Sequence, residues 1–266
     1  MQPLILNAAD VSAMMGRLWW PSLRISGFIM TAPVASEATI PGRVKIILIL
    51  ALAFLVSPLA PVPGGLTIFS GSGLLVAAQE MLIGVAVGMV MQLAFDALTF
   101  AGQAISMSMG LGFATLIDPQ RGANVPVMGQ LVSIMGTLTY LAVNGHLVLL
   151  AALSRSFQTL PIGGSNVDRD LLFAIATWGA RIFETGLLIA LPVIVAMVIV
   201  NLALGVVSRA APQLNLFGIG FTITLLCGFF VFTVGLDGMM VGISNVIQST
   251  LQAVTEMVGP RAAGAH

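Results

Sequence analysis

Six long apolar segments divide the chain, and they restrict it to one broad class of fold. They cover residues 8–30, 44–59, 74–100, 127–153, 171–208 and 214–257. An α-helix needs roughly 20 apolar residues to cross the hydrocarbon core of a bilayer, so these segments predict membrane helices. Only 8% of the 266 residues are charged, whereas soluble domains have about 25%. We therefore predict an all-α, polytopic helical membrane protein.

The last two segments are longer than a single span requires. About 40 helical residues extend roughly 60 Å, which is twice the thickness of the hydrocarbon core. Either these helices project beyond a bilayer or they break, and Pro192, Gly235 and Gly238 are the candidates for a break. Because the connection over residues 209–213 is short, the two segments are predicted to form an antiparallel hairpin.

Residues 102–126, GQAISMSMGLGFATLIDPQRGANVP, are predicted to form a long apolar loop. Its glycines discourage a regular helix, and its Asp-Pro pair favours an extended or turn conformation. Non-helical backbone at membrane depth persists only where it is buried in protein or lines a cavity. The loop is either a re-entrant, plugging loop with a deformable apolar seal or a loop merely packed against its own helices. The candidate seal residues are Met107, Met109, Gly110, Leu111, Gly112, Phe113, Leu116 and Ile117.

Several charged side chains lie within the apolar segments, where ionisable groups are costly and often functional. Glu80 and Asp96 are 16 positions apart, so on one helix they point about 160° away from each other. That argues against one paired site and favours contacts with different neighbours. Arg17 and Arg24 share a face, with two tryptophans between them. They either snorkel at an interfacial belt or form salt bridges to another subunit. The candidate subunit-contact charges are Arg17, Arg24, Glu80, Asp96, Arg181, Glu184 and Asp237.

Two short-range patterns indicate helix contacts. Arg181 and Glu184 are three residues apart and can pair along one helix face. Gly84 and Gly88 form a GxxxG pair, which permits the close approach of a second helix.

Patterns that would indicate catalysis or metal binding are absent from the sequence. One cysteine and two histidines are too few for a cluster of metal ligands. The chain contains no HExxH motif, phosphate-binding loop, nucleophile elbow or paired-carboxylate arrangement. Ten basic and ten acidic residues cancel, so no basic face is available for nucleic acid. We predict that the chain is not an enzyme and uses no cofactor.

Two motifs, MGLGFATLIDP and SRAAPQLNLFGIGF, are specific when taken together. They lie within a set of five stretches that together resemble the FliR family of flagellar export-gate subunits, whose virulence counterparts form the SctT/YscT group. The likeness covers nearly the whole chain. The stretches are residues 33–58, 79–119, 144–161, 190–221 and 228–232.

The resemblance implies a core subunit of a protein-export channel. Family members assemble with FliP and FliQ subunits into a closed gate that passes unfolded flagellar proteins, and FlhB and FlhA are further partners. The implied location is the bacterial inner membrane at the flagellar basal body, in contact with lipid, with the complex projecting to the periplasmic side. The implied organisation is a FliP-like part over residues 1–170, which contains the plug loop at about 102–126, a FliQ-like hairpin over 171–257 and a tail over 258–266.

Three other functions are alternatives to this one. A virulence-type export gate shares the fold and mechanism of the flagellar one. A stand-alone small-solute transporter would need inverted repeats around a polar midplane site, and the sequence has no convincing internal repeat. An intramembrane enzyme would need a catalytic set, which these residues do not supply.

Overall fold

The computed structural model describes residues 8–63, 66, 70–111, 127–164, 169–210 and 216–259. Across these ranges the backbone is mainly helical and contains no strand. The helices are α1 (Ala8–Thr31), α2 (Gly42–Val56), α3 (Gly71–Ser108), α4 (Val127–Ala142), α5 (Gly145–Thr159), α6 (Arg169–Ala210) and α7 (Leu216–Val258), with a 3-10 turn over Ser57–Leu59. The predicted all-α class is confirmed.

Four of the described segments are long and apolar enough to cross a membrane. They are Gly42–Leu59, Gly71–Ser108, Ala176–Ala210 and Gly220–Val258, and α4 with α5 supplies a fifth if the two form one broken span. The segment of α6 has the highest mean hydropathy, 2.9. These lengths and compositions agree with the predicted polytopic membrane protein.

α3 continues further than the sequence predicted. The predicted loop began at residue 102, but residues 102–108 are the last two turns of α3, so that boundary is wrong. Gly102 lies inside the helix, and its missing side chain allows α4 to pack against it. A Cβ atom at Gly102 would lie 2.6 Å from the Cα of Gly129. The glycine therefore serves close helix packing here and does not end the helix.

A Schellman motif ends α3 eight residues later, at Gly110. The N–H of Gly110 donates to the carbonyl of Met107 (3.1 Å), and the N–H of Leu111 donates to the carbonyl of Ser106 (3.1 Å). This pair of bonds requires the residue after the helix to be left-handed, and Gly110 has a φ of 80°. Glycine adopts that conformation without a steric penalty.

The predicted helix over residues 127–153 is in fact two helices, so this prediction is wrong. α4 ends at Ala142 and α5 begins at Gly145. Asn144, between them, is left-handed with a φ of 56°, and its carbonyl accepts the N–H of Leu147 (2.9 Å) to open α5. Asparagine tolerates this conformation better than most residues, and Asn-Gly is a common turn signal.

α6 and α7 are continuous over 42 and 43 residues. Pro192 lies inside α6 without ending it. Gly235 and Gly238 likewise lie within α7. Of the two predicted outcomes for these segments, projection beyond one bilayer thickness therefore fits the helices better than a break.

Facing positions show that α6 and α7 run antiparallel. A Cβ atom at Gly235 would lie 3.8 Å from Val193, and one at Gly242 would lie 2.9 Å from Ile189. Positions that advance along α7 thus meet positions that recede along α6. The predicted hairpin agrees with this packing, and residues 211–215 of its connection lie outside the described residues.

The chain divides into two compact units. One contains residues 1–92, 144–178 and 250–266, and the other contains residues 93–143 and 179–249. The largest fully buried side chains of the first include Trp20, Ile25, Phe157 and Ile162, and those of the second include Leu98, Ile105, Met109 and Met128. The FliP-like and FliQ-like parts, with a boundary at residue 170, stay a prediction.

Glycines allow α1 and α3 to cross with their backbones in contact. A Cβ atom at Gly84 would overlap the carbonyl oxygen of Arg24, and one at Gly88 would overlap the hydroxyl oxygen of Thr31. On the opposite helix, a Cβ atom at Gly27 would overlap a backbone carbonyl oxygen of α3. Both helices therefore present glycine at the crossing.

We predict that Gly27→Ala destabilises the chain by about 1–3 kcal/mol, because the added methyl meets backbone that cannot move aside. Gly16→Ala is the matched control on the same helix, since a Cβ atom at Gly16 meets nothing within 4 Å. That control should be neutral or slightly stabilising. Thermal unfolding in detergent measures both variants. Equal midpoints for the two would contradict the close crossing.

Candidate functional site

Arg24 of α1 and Glu80 of α3 form a salt bridge in the interior of the first unit. The Nε of Arg24 lies 2.7 Å from Oε2 of Glu80, and both side chains have 0% exposure. Removing two charges from water costs several kcal/mol per ion, so such a pair persists only with further hydrogen bonds around it.

α5 supplies those further contacts to the guanidinium group. The Nη1 of Arg24 donates to the hydroxyl of Ser156 (3.1 Å), and Nη2 donates to the carbonyl of Leu160 (2.8 Å). The ring of Phe157 lies under the group, with its centroid 4.3 Å from Cζ. Leu160 caps α5, and carbonyls at a helix end lack intrahelical partners. One arginine thus joins α1, α3 and the end of α5.

The glycine crossing explains how these two charges meet. Glu80, Gly84 and Gly88 recur at intervals of four residues and so lie on one face of α3. Arg24 and Gly27 lie on the facing side of α1, and the backbones touch at both glycines. With the helices this close, a glutamate one turn before Gly84 reaches the arginine directly. A glutamate four residues before the GxxxG pair of Gly84 and Gly88 is the sequence signal that could have indicated the contact of Glu80 with Arg24.

The predicted subunit contacts of Arg24 and Glu80 are therefore wrong for this chain, because the two side chains pair with each other. Arg17, seven residues before Arg24 on α1, is exposed. Asp96 and Asp237 are also exposed. Their roles as contacts to other subunits stay predictions.

The predicted pairing along α6 is not formed. Arg181 and Glu184, whose side chains the structure describes, are both exposed, and no ion pair joins them. Holding two exposed long side chains in one geometry costs conformational entropy and gains little in water. These two charges remain predicted partner contacts.

Some of the candidate seal residues lie within the part of the chain that the structure describes, and the others lie outside it. Met107 is 72% exposed, whereas Met109, two residues later, is fully buried. Gly110 and Leu111 form the end of α3 and are partly exposed. Gly112, Phe113, Leu116 and Ile117 lie outside the described residues.

No metal-binding cluster occurs in the described part of the chain: no three His, Cys, Asp or Glu side chains there come close enough to hold an ion. The buried polar cluster around Arg24 has its cation paired with a carboxylate, a hydroxyl and a carbonyl. Its chemistry is that of a structural clamp between helices.

Comparison with known proteins identifies the family. The family described as bacterial export proteins, family 1, matches residues 15–250, which include every residue of the clamp. The chain belongs to this bacterial export family. The resemblance seen in the sequence is thereby confirmed.

Curated members of the export family match most of the chain. Identity to the flagellar biosynthetic protein FliR of Escherichia coli (strain K12) is 42% over 210 residues, 79% of this chain and 80% of that protein. Identity to the protein of the same name from Bacillus subtilis (strain 168) is 30% over 239 residues, 89% of this chain and 92% of that protein. The FliR of Aquifex aeolicus (strain VF5) is 30% identical over 226 residues, 85% of this chain and 87% of that protein.

We predict that Glu80→Ala destabilises the chain by about 3–5 kcal/mol, because it leaves the charge of Arg24 buried without its carboxylate. The double variant Arg24→Met with Glu80→Leu should recover much of that loss, since it removes both charges and keeps the volume filled. Glu184→Gln, on an exposed site, should change stability by less than about 0.5 kcal/mol. Unfolding midpoints in detergent measure the stability of all three variants. A Glu80→Ala protein as stable as Glu184→Gln would refute the clamp.

Proposed function

We propose that this chain is a core subunit of the flagellar type III protein export gate. In this role it assembles with FliP and FliQ subunits and forms the channel through which unfolded flagellar proteins pass. The observation that carries the proposal is the 42% identity, over 79% of the chain, to a protein named flagellar biosynthetic protein FliR. The match of the whole central chain to an export family supports it further.

The surfaces of α6 and α7 are consistent with burial against sister subunits. Their apolar segments have 35 and 39 residues, whereas one span takes roughly 20. Large apolar side chains are exposed along both helices, as in Leu202 (66%) and Phe230 (71%). Lipid can cover only the part that lies within a bilayer. Partner helices would cover the remainder, and exposed charges such as Arg181 and Asp237 would find polar groups on them.

The chain acts in this proposal as a channel component and catalyses no reaction. Other components and the proton gradient supply the energy for export. Its location is the bacterial inner membrane at the flagellar basal body, in a complex that projects to the periplasmic side. FlhB and FlhA are the further partners of that complex. The apolar segment within residues 102–126 helps to close the lumen when no substrate is passing, through the seal residues named above.

A flagellar system is favoured over a virulence system by the relatives. Those from Escherichia coli, Bacillus subtilis and Aquifex aeolicus all bear the name flagellar biosynthetic protein FliR. The two kinds of gate share their mechanism, so the choice changes the identity of the transported proteins and leaves the proposed role of this chain unaltered.

We predict that the chain co-purifies with FliP and FliQ subunits of the same bacterium when all three are expressed together. A tag on this chain alone should retain both partners through detergent extraction and gel filtration, because their contacts would bury the apolar faces of α6 and α7. Expression of the tagged chain with an unrelated polytopic membrane protein is the control. A chain that elutes alone in the presence of FliP and FliQ would contradict the proposal.

A further inference from the structure

In the second unit, α3 and α4 pack against each other as an antiparallel pair. The rings of Phe95 and Tyr140 meet edge to face, with their centroids 5.6 Å apart. Further along α3, a Cβ atom at Gly102 would lie 2.6 Å from the Cα of Gly129. Positions that advance along α3 thus meet positions that recede along α4.

One side of α3 carries all of the polar side chains that the helix has between Leu93 and Ile105. They are Asp96, Thr99 and Gln103. At about 3.6 residues per turn, these three positions fall within an arc of about 60°. Asp96 is exposed, and Thr99 and Gln103 are partly exposed. This polar stripe therefore lies on the surface of the unit.

α4 carries a second polar stripe. Gln130 is exposed, and Ser133 and Thr137 are partly exposed. These three positions also fall within an arc of about 60°. The stripe adjoins the one on α3, because a Cβ atom at Gly129, the residue before Gln130, would lie 3.4 Å from the Cγ of Gln103.

Both stripes are turned to the same side of the helix pair. On α3, each polar residue directly follows one of the contact residues Phe95, Leu98 and Gly102. On α4, two of the three directly follow Gly129 and Gly136, which face α3. Because the helices are antiparallel, a step of one residue from the contact turns both helices toward the same side. This side is called here the polar face, and it consists of Asp96, Thr99, Gln103, Gln130, Ser133 and Thr137.

The chemistry of the polar face suits water better than lipid or a tightly packed helix. Polar side chains within membrane helices face the interior of a bundle or a water-filled cavity. The hydroxyls of Thr99 and Thr137 each donate to a carbonyl of their own helix over 2.9 Å. They therefore need no donor site on a partner helix, and their oxygens can still accept hydrogen bonds from the surroundings.

Apolar surfaces adjoin the polar face on both sides. On one side, the ring of Phe100 packs on that of Phe183 of α6, with their centroids 5.8 Å apart. On the other side, α4 exposes large apolar residues at alternating intervals of four and three, the spacing at which one helix packs along another in a coiled coil. This apolar stripe consists of Val127, Leu131, Ile134, Leu138 and Leu141. A sister helix on the apolar stripe would leave the polar face open.

We propose that the polar face lines the water-filled path through the gate and contacts the backbone of the transported unfolded polypeptide. This inference rests on the proposed function, which supplies both the path and the polypeptide. The chemistry of the face fits an unfolded chain, because carboxamides and hydroxyls exchange hydrogen bonds with peptide groups whatever the sequence. The helices on either side, α6 and a sister helix on the apolar stripe, complete the wall of that path.

Cysteine reactivity in the assembled gate tests the polar face. The parent for all variants is Cys227→Ala, which removes the one native cysteine, and the test variants are Ser133→Cys and Gln103→Cys. Ile134→Cys is the matched control, because it lies next to Ser133 at the same depth, is 53% exposed and belongs to the apolar stripe.

The reagent is a membrane-impermeant methanethiosulfonate, applied to inverted and right-side-out membrane vesicles from cells that also produce FliP and FliQ. Both test cysteines should react at least about tenfold faster than the control from one side or the other, because a thiol in apolar surroundings forms little of the reactive thiolate. A flagellar protein that is stalled in the gate by a stably folded domain at its C-terminus should protect both test cysteines.

The results separate failure of the polar face from failure of the proposed function. If the parent does not co-purify with FliP and FliQ, the proposed function fails and the inference fails with it. If the parent assembles and supports export but neither test cysteine reacts faster than Ile134→Cys, the inference alone is overturned. Fast reaction that the stalled protein does not slow also overturns it, because the face would then be wet without contacting the polypeptide.

Discussion

The buried contact between Arg24 and Glu80 is the constraint on which the first unit depends. Both charges are fully removed from solvent. Loss of either one would leave the other buried without a compensating charge. The arginine also binds Ser156 and the carbonyl of Leu160, and three helices are therefore held at one point. This polar clamp needs the glycine crossing of α1 and α3, because only a close approach of the two backbones brings the side chains within reach.

The helices themselves could largely be predicted from apolar runs, because a membrane helix must satisfy its backbone internally and must be apolar. Their ends could not, since one residue type serves two purposes. Gly102 permits packing on Gly129 in the middle of a helix, whereas Gly110 ends the same helix with a positive φ. Hydropathy alone does not distinguish these roles. Hydropathy also gives no signal at Asn144, whose left-handed backbone separates α4 from α5.

The candidate site was harder to predict because its pairs lie far apart in sequence. Glu80 and Asp96 point in opposed directions along one helix, which argues against a shared site but does not indicate the partner of either residue. The partner of Glu80 proved to be Arg24, 56 residues earlier. Similarly, Met109 was assigned to an apolar seal by its composition, and only the three-dimensional contact with Gly228 accounts for its burial. The family, in contrast, could be recognised from motifs, because those depend on local residue order.

If the chain is a subunit of the export gate, export of flagellar proteins requires it. The most direct measurement is the amount of flagellar protein in the culture medium after the gene for the chain is deleted from its own bacterium. We expect hook and filament proteins to disappear from the medium, to remain detectable inside the cells, and to return to the medium when the wild-type chain is supplied. Normal amounts in the medium without the chain would contradict it.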